Sequence, residues 1–122
     1  MLGLARVSQS TPPPADARSV RALVVASDGS WFRAPGRAVA DCSNRPVLKR
    51  LVVALVAARR GVPCTVCQLV EAGWPGEKMS RAAARNRLHV SLTRLRVLGL
   101  GDVLRTTRAG YLIDPEVEIE LS

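Results

Sequence analysis

The stretch from Ser80 to Leu98 constrains this chain more than any other feature, because its pattern is that of a helix with one narrow apolar face and a mostly polar circumference. Steps of 100° per residue gather Ala84, Leu88, Ser91, Leu92 and Leu95 on the side that packs. Ser80 is placed to cap the start and Gly99 to end it. The opposite side carries Asn86, Val90, Thr93 and Val97, edged by Arg87 and Arg94 on one flank and by Arg85, His89 and Arg96 on the other. Such a helix lies on the surface of a domain with its leucines inward.

The rest of the chain supplies what those leucines pack against. Ser19 to Ala26 is rich in valine and reads as a strand, closed by the turn pair Asp28-Gly29. Trp31 to Ala34 and Arg37 to Cys42 read as two further strands around Pro35-Gly36, with Val39 the strongest strand former of the last. A small N-terminal antiparallel sheet is therefore expected. Ser43 or Asn44 is expected to cap a helix that buries Leu48, Leu51, Val52, Leu55 and Val56 and stops at Gly61. Thr65 and Gln68 form a capping box for a short second helix ending by Gly73. After the long third helix, Val103 to Thr107 and Tyr111 to Ile113 flank Arg108-Ala109-Gly110 as a hairpin. The fold class expected is α+β: a small sheet, a three-helix bundle and a C-terminal β-hairpin. Residues 1–18, with Pro12-Pro13-Pro14, read as a flexible leader, 19–113 as the domain, and 114–122 as an acidic tail.

With 122 residues there is room for one domain. Its charge matters more than its size: 18 Lys and Arg against 10 Asp and Glu give a net charge of +8, and all but Lys49 and Lys78 are arginine. Arginine forks fit phosphates and guanine edges, so a polyanionic partner is expected. Between Arg81 and Arg108 lie seven arginines and one acid, Asp102. Arg81 and Arg85 occupy the start of the third helix, where the dipole disfavours cations by roughly 0.3–1 kcal/mol each. Short polar and methyl-bearing groups between rows of arginine suit a helix in a DNA major groove, with base edges read in the middle and phosphates held alongside. Arg105 and Arg108, on the strand and tip of the hairpin, are placed to reach a phosphate or the minor groove. The bland alternative is a solvated, arginine-rich face.

Three sets of residues are similar to the winged-helix effector domains of OmpR/PhoB-type transcriptional regulators. These are Gly61, Leu69 and Trp74 through the second helix, Leu92-Thr93-Arg94-Leu95-Arg96 in the third, and Gly110-Tyr111-Leu112 in the last hairpin. The resemblance covers roughly residues 19–113. It implies a winged helix-turn-helix with the third helix in the major groove and the hairpin as a wing near the minor groove. Arg94 then matches a base-contacting position, Arg96 a basic neighbour, and Arg105 and Thr107 wing positions that approach DNA. The loop from Trp74 to Met79 matches one that contacts RNA polymerase in several members. Two departures stand out: a Pro-rich leader occupies the place of a receiver domain, and Arg108 stands where the wing commonly has glycine. Phosphorelay control is accordingly not expected.

The reading that results is a double-stranded DNA-binding transcriptional regulator, cytoplasmic, acting as a homodimer or on tandem sites. Asn86, Arg87, Val90, Thr93 and Arg94 are expected to read bases, and Arg85, Arg96, Arg105 and Arg108 to hold phosphates. The alternative is a winged-helix protein-interaction module or adaptor with only nonspecific affinity for nucleic acid. No enzymatic site, metal or cofactor is expected. Cys64 and Cys67 form a single C-x-x-C without a second pair, and Cys42 and Cys64 fall where the family has apolar residues, so both are expected as small buried hydrophobes. His89 is the only histidine and has no catalytic partner in view, and Gly99-Leu100-Gly101 lacks the residues of a phosphate loop. Trp74 and Tyr111 are expected to anchor the core.

Overall fold

A computed structural model of the chain describes residues 22–58 and 60–122. The leader, and the first residues expected in the opening strand, lie outside the described residues. In chain order the elements are β1 (Ala22–Val25), β2 (Trp31–Arg33), β3 (Ala40–Asp41), α1 (Pro46–Ala57), α2 (Val66–Gly73), α3 (Arg81–Leu98), a 3-10 turn (Leu100–Asp102), β4 (Leu104–Thr107), β5 (Gly110–Ile113) and β6 (Glu118–Leu121). The architecture is α+β: three helices, a small mixed sheet and a separate hairpin near the C-terminus.

The sheet has the order β3-β2-β1-β6. β1 pairs antiparallel with β2 but parallel with β6, in the register Ala22 with Glu118 through Val25 with Leu121. This corrects the all-antiparallel sheet and the free acidic tail expected from the sequence. The reason is alternation: Val117 and Ile119 pack partly against the core while the intervening Glu118 is exposed, which is the period of a half-buried strand. A parallel partner requires a long crossover, and here the three helices and the hairpin together provide it.

β3 is shorter than the expected Arg37 to Cys42. Arg37 N–H donates back to the Ala34 carbonyl at 3.0 Å, so the chain is still turning there, and its side chain meets Asp102 through Nε at 3.2 Å and Nη2 at 3.0 Å. Val39 is left 53% exposed outside any strand. The cap of α1 is also corrected. Ser43 N–H donates to Asp41 Oδ1, so the chain is still turning at Ser43, and Pro46 begins the helix at a position where its missing N–H is no loss. Proline disfavours helical backbone at the residue before it, so Arg45 becomes the cap, with φ −129° and ψ 84° and no side-chain hydrogen bond. α1 ends at Ala57, ahead of Gly61, because Ala58 turns extended and the chain must carry Cys64 back to the hairpin.

The capping box of α2 forms as the sequence implies: Gln68 N–H donates to Thr65 Oγ1 at 3.1 Å and Thr65 N–H to Gln68 Oε1 at 2.9 Å. One core joins the layers, with Leu23, Phe32, Leu51, Leu69, Leu92 and Leu95 almost fully enclosed. Cys42 and Cys64 are buried within it as free thiols, and burial pushes both thiols up from their ordinary pKa. Cys67 is exposed. Trp74 is buried, whereas Tyr111 is only half-buried at the rim.

Gly110 locks the hairpin onto this core. Its φ is +148°, and a Cβ added there would lie 1.9 Å from the Cys64 carbonyl oxygen. That approach permits the paired hydrogen bonds of Cys64 N–H to Tyr111 O at 2.7 Å and Tyr111 N–H to Cys64 O at 2.9 Å. The chain between α1 and α2 thus fixes where β4 and β5 stand beside α3.

Candidate nucleic-acid interface

α3 begins where Ser80 Oγ accepts the N–H of Ala83 at 3.1 Å and ends where Gly99 N–H reaches the carbonyls of Leu95 and Arg96. Its inner face is the one expected: Leu88, Leu92 and Leu95 are buried, and Ala84 and Ser91 are half-buried. Asn86, Val90, Thr93 and Val97 form an exposed outer stripe, with Val90 43% and Val97 79% exposed. Thr93 Oγ1 donates to the His89 carbonyl at 2.8 Å, one turn back along the helix. No acid stands in the first turn, so Arg81 meets the positive end of the helix dipole uncompensated.

The arginines around the stripe fall into two groups. Arg85, Arg94 and Arg108 are exposed and make no ion pair or side-chain hydrogen bond with another described residue. Arg87, Arg96 and Arg105 are tethered. Arg87 Nη1 meets Glu77 Oε1 at 3.2 Å with both side chains about half exposed, a pair worth under about 1 kcal/mol. Arg96 is half-buried and donates from Nη2 to Thr106 Oγ1 at 2.7 Å, which binds α3 to β4. Arg105 grips Asp114 Oδ2 through Nε at 3.3 Å and Nη2 at 2.8 Å. The Glu116 backbone N–H and then the Arg105 guanidinium hold the Asp114 carboxyl below its ordinary pKa.

Thr107 is exposed and shapes the end of the hairpin. Its hydroxyl oxygen accepts the N–H groups of Ala109 and Gly110 at 3.1 and 3.2 Å, so it builds the hairpin turn and raises Arg108 at the tip. The register of β4 and β5, with Thr107 opposite Gly110, leaves Arg108 and Ala109 as the two-residue connection. Sequence reasoning missed Asp114 and Thr106 as partners. The signal for Asp114 appears only in the register: Arg105 stands opposite Leu112, which puts Asp114 diagonally beside it on the same face.

In the loop from Trp74 to Met79, Trp74 is buried, Pro75 to Lys78 are exposed and Met79 is half-buried. The Arg87–Glu77 pair fastens this loop to α3. The Arg87–Glu77 and Arg96–Thr106 contacts therefore tie the loop and β4 to α3. Among the described residues no group of three or more His, Cys, Asp or Glu is arranged to hold a metal ion, and no helix is long and apolar enough to cross a membrane. Comparison of the chain with protein-family models, with curated proteins and with solved structures gives no match.

Proposed function

We propose that this chain is a winged-helix, sequence-specific double-stranded DNA-binding domain of a transcriptional regulator, similar to the OmpR/PhoB effector domains. The observation that carries the reading is the outer side of α3: short polar and methyl-bearing side chains exposed to solvent, bordered by arginines of which Arg85 and Arg94 make no ion pair with another described residue. In this reading α3 enters the major groove, and β4 and β5 are the wing, with Arg108 directed at the backbone or minor groove. Arg94 is the principal base reader, since an unpartnered guanidinium fits the O6 and N7 of guanine in a bidentate fork. Arg85 and Arg108 hold phosphates outright. Arg87 and Arg105 do so by exchanging Glu77 and Asp114 for phosphate oxygens, and Arg96 keeps α3 at a set distance from the wing.

A single module of this kind buries on the order of 600–1,000 Å² of its surface on DNA. Useful specificity then calls for a homodimer or tandem copies, with half-sites about one helical turn apart. The exposed Pro75 to Lys78 loop is the proposed contact for RNA polymerase, and the proposed compartment is the cytoplasm, on the nucleoid.

The test is a salt titration of binding to duplexes selected from random DNA. Four phosphate contacts by arginine predict a slope of log K against log salt of roughly −3 to −4. Arg94→Ala is expected to weaken binding by about 1–3 kcal/mol and to relax preference at one base pair. Weak binding without preference, unaffected by Arg94→Ala, would refute the reading in favour of an adaptor that meets nucleic acid only nonspecifically.

A further inference from the structure

We infer that the stripe Val90, Thr93 and Val97 reads the 5-methyl groups of thymines, so that the preferred duplex presents consecutive A·T pairs with thymine toward α3; this rests on the DNA-binding reading above. These side chains stand at i, i+3 and i+7 on an 18-residue helix and are all exposed, two of them as valine. At about 1.5 Å per residue they span about 10.5 Å, the rise of about three base pairs.

Thr93 belongs with the valines. Its hydroxyl proton goes to the His89 carbonyl at 2.8 Å, and staggered geometry then leaves the γ-methyl as the group offered outward. The middle of the stripe is therefore a row of methyls with no free donor. In the major groove, thymine alone among the bases offers a methyl, whereas cytosine offers an N4 amino donor that such a row would desolvate without a partner. Asn86, one turn before Val90, supplies the one amide on the stripe, and the fork of an asparagine side chain pairs with N6 and N7 of adenine. Hydrogen-bonding and apolar positions thus converge on A·T pairs, with Arg94 marking a guanine at the border. The methyl row also accounts for a 79% exposed valine in a surface otherwise dominated by arginine.

The experiment replaces thymine by uracil, one position at a time, in a duplex selected by the full-length protein from random DNA. Base pairing is unchanged and only the methyl is lost. Affinity is expected to fall about fourfold at each of two or three adjacent positions. Thr93→Ser retains the hydroxyl but not the methyl, and Val97→Ala shortens an exposed side chain without disturbing the core; each is expected to abolish uracil sensitivity at one of those positions while the remaining preference survives. Placing 5-methylcytosine at the same position restores the methyl but not the edge, and is expected to leave binding weak. Full recovery there would overturn the assignment of A·T pairs. Undiminished binding to the uracil duplex, with preference and Arg94 dependence intact, would overturn this inference alone. Absence of any preferred duplex would overturn both it and the DNA-binding reading.

Discussion

Arg94 on α3 and Arg105 on the hairpin are both exposed arginines, yet they are in opposite electrostatic situations. Arg94 projects from the outer side of α3 with no partner among the described residues, whereas Arg105 is bound at two nitrogens by Asp114 across the hairpin. The same contrast separates Arg85 and Arg108 from Arg87 and Arg96. An unpartnered cation gives its whole interaction to an incoming anion, while a tethered one must first release what it holds. Net charge alone therefore overstates the pull of these arginines, and the tethers do something else: they keep helix, loop and hairpin in one arrangement.

The contrast breaks most completely at Gly110. Gly110→Ala puts a methyl against the Cys64 carbonyl on a backbone conformation that L residues rarely adopt, so the hairpin must lift from the core. We expect a loss of about 2–4 kcal/mol in urea unfolding, together with separation of Arg96 from Thr106. An unchanged unfolding midpoint would show that the hairpin does not sit where Cys64 holds it.

Arg96→Ala removes the tie between α3 and β4 while leaving the core leucines in place. About 1 kcal/mol of stability should go with it, and DNA affinity should fall for every sequence alike rather than at one base pair. A sequence-selective loss would instead class Arg96 with Arg94.

The smallest effect sharpens the comparison most. Asp114→Asn removes the charge that binds Arg105, so Arg105 should behave like Arg94, and DNA affinity should rise a few-fold at low salt with a steeper salt slope. Stability gives a second readout. Because the folded carboxyl of Asp114 titrates below its unfolded value, its contribution is fully present above the unfolded pKa and is lost as pH falls through the folded one. Asp114→Asn is expected to flatten part of the acid limb of stability below about pH 4. Asp28 and Asp41, lowered mainly by bonds to Ser30 and Ser43, keep the remainder. An acid limb identical to that of the unaltered protein would mean that Asp114 is not tethered in solution.

Much of the fold was legible in the chain. The inward and outward sides of α3, the Thr65–Gln68 box and the Ser80 cap all depend on residues within one or two turns of each other, and each stands where its spacing places it. β6 shows where such reading fails. Val117, Ile119 and Leu121 alternate with glutamates, but the acids by themselves point to a solvated tail, since the partner β1 lies almost a whole chain away. The candidate surface was legible as a set of residues and illegible as a set of bonds. Thr107 illustrates the difference: spacing places it at the end of a hairpin strand, and only coordinates show its hydroxyl closing the turn.

Local periodicity and capping chemistry thus determined the helices and the face that α3 turns outward, because hydrogen bonds and apolar contacts one turn apart need no distant partner. Tertiary structure alone decided which arginines meet an acid or hydroxyl and which do not. Those contacts join segments whose separation in space depends on strand register and on the close approach at Gly110, and no local pattern encodes either distance.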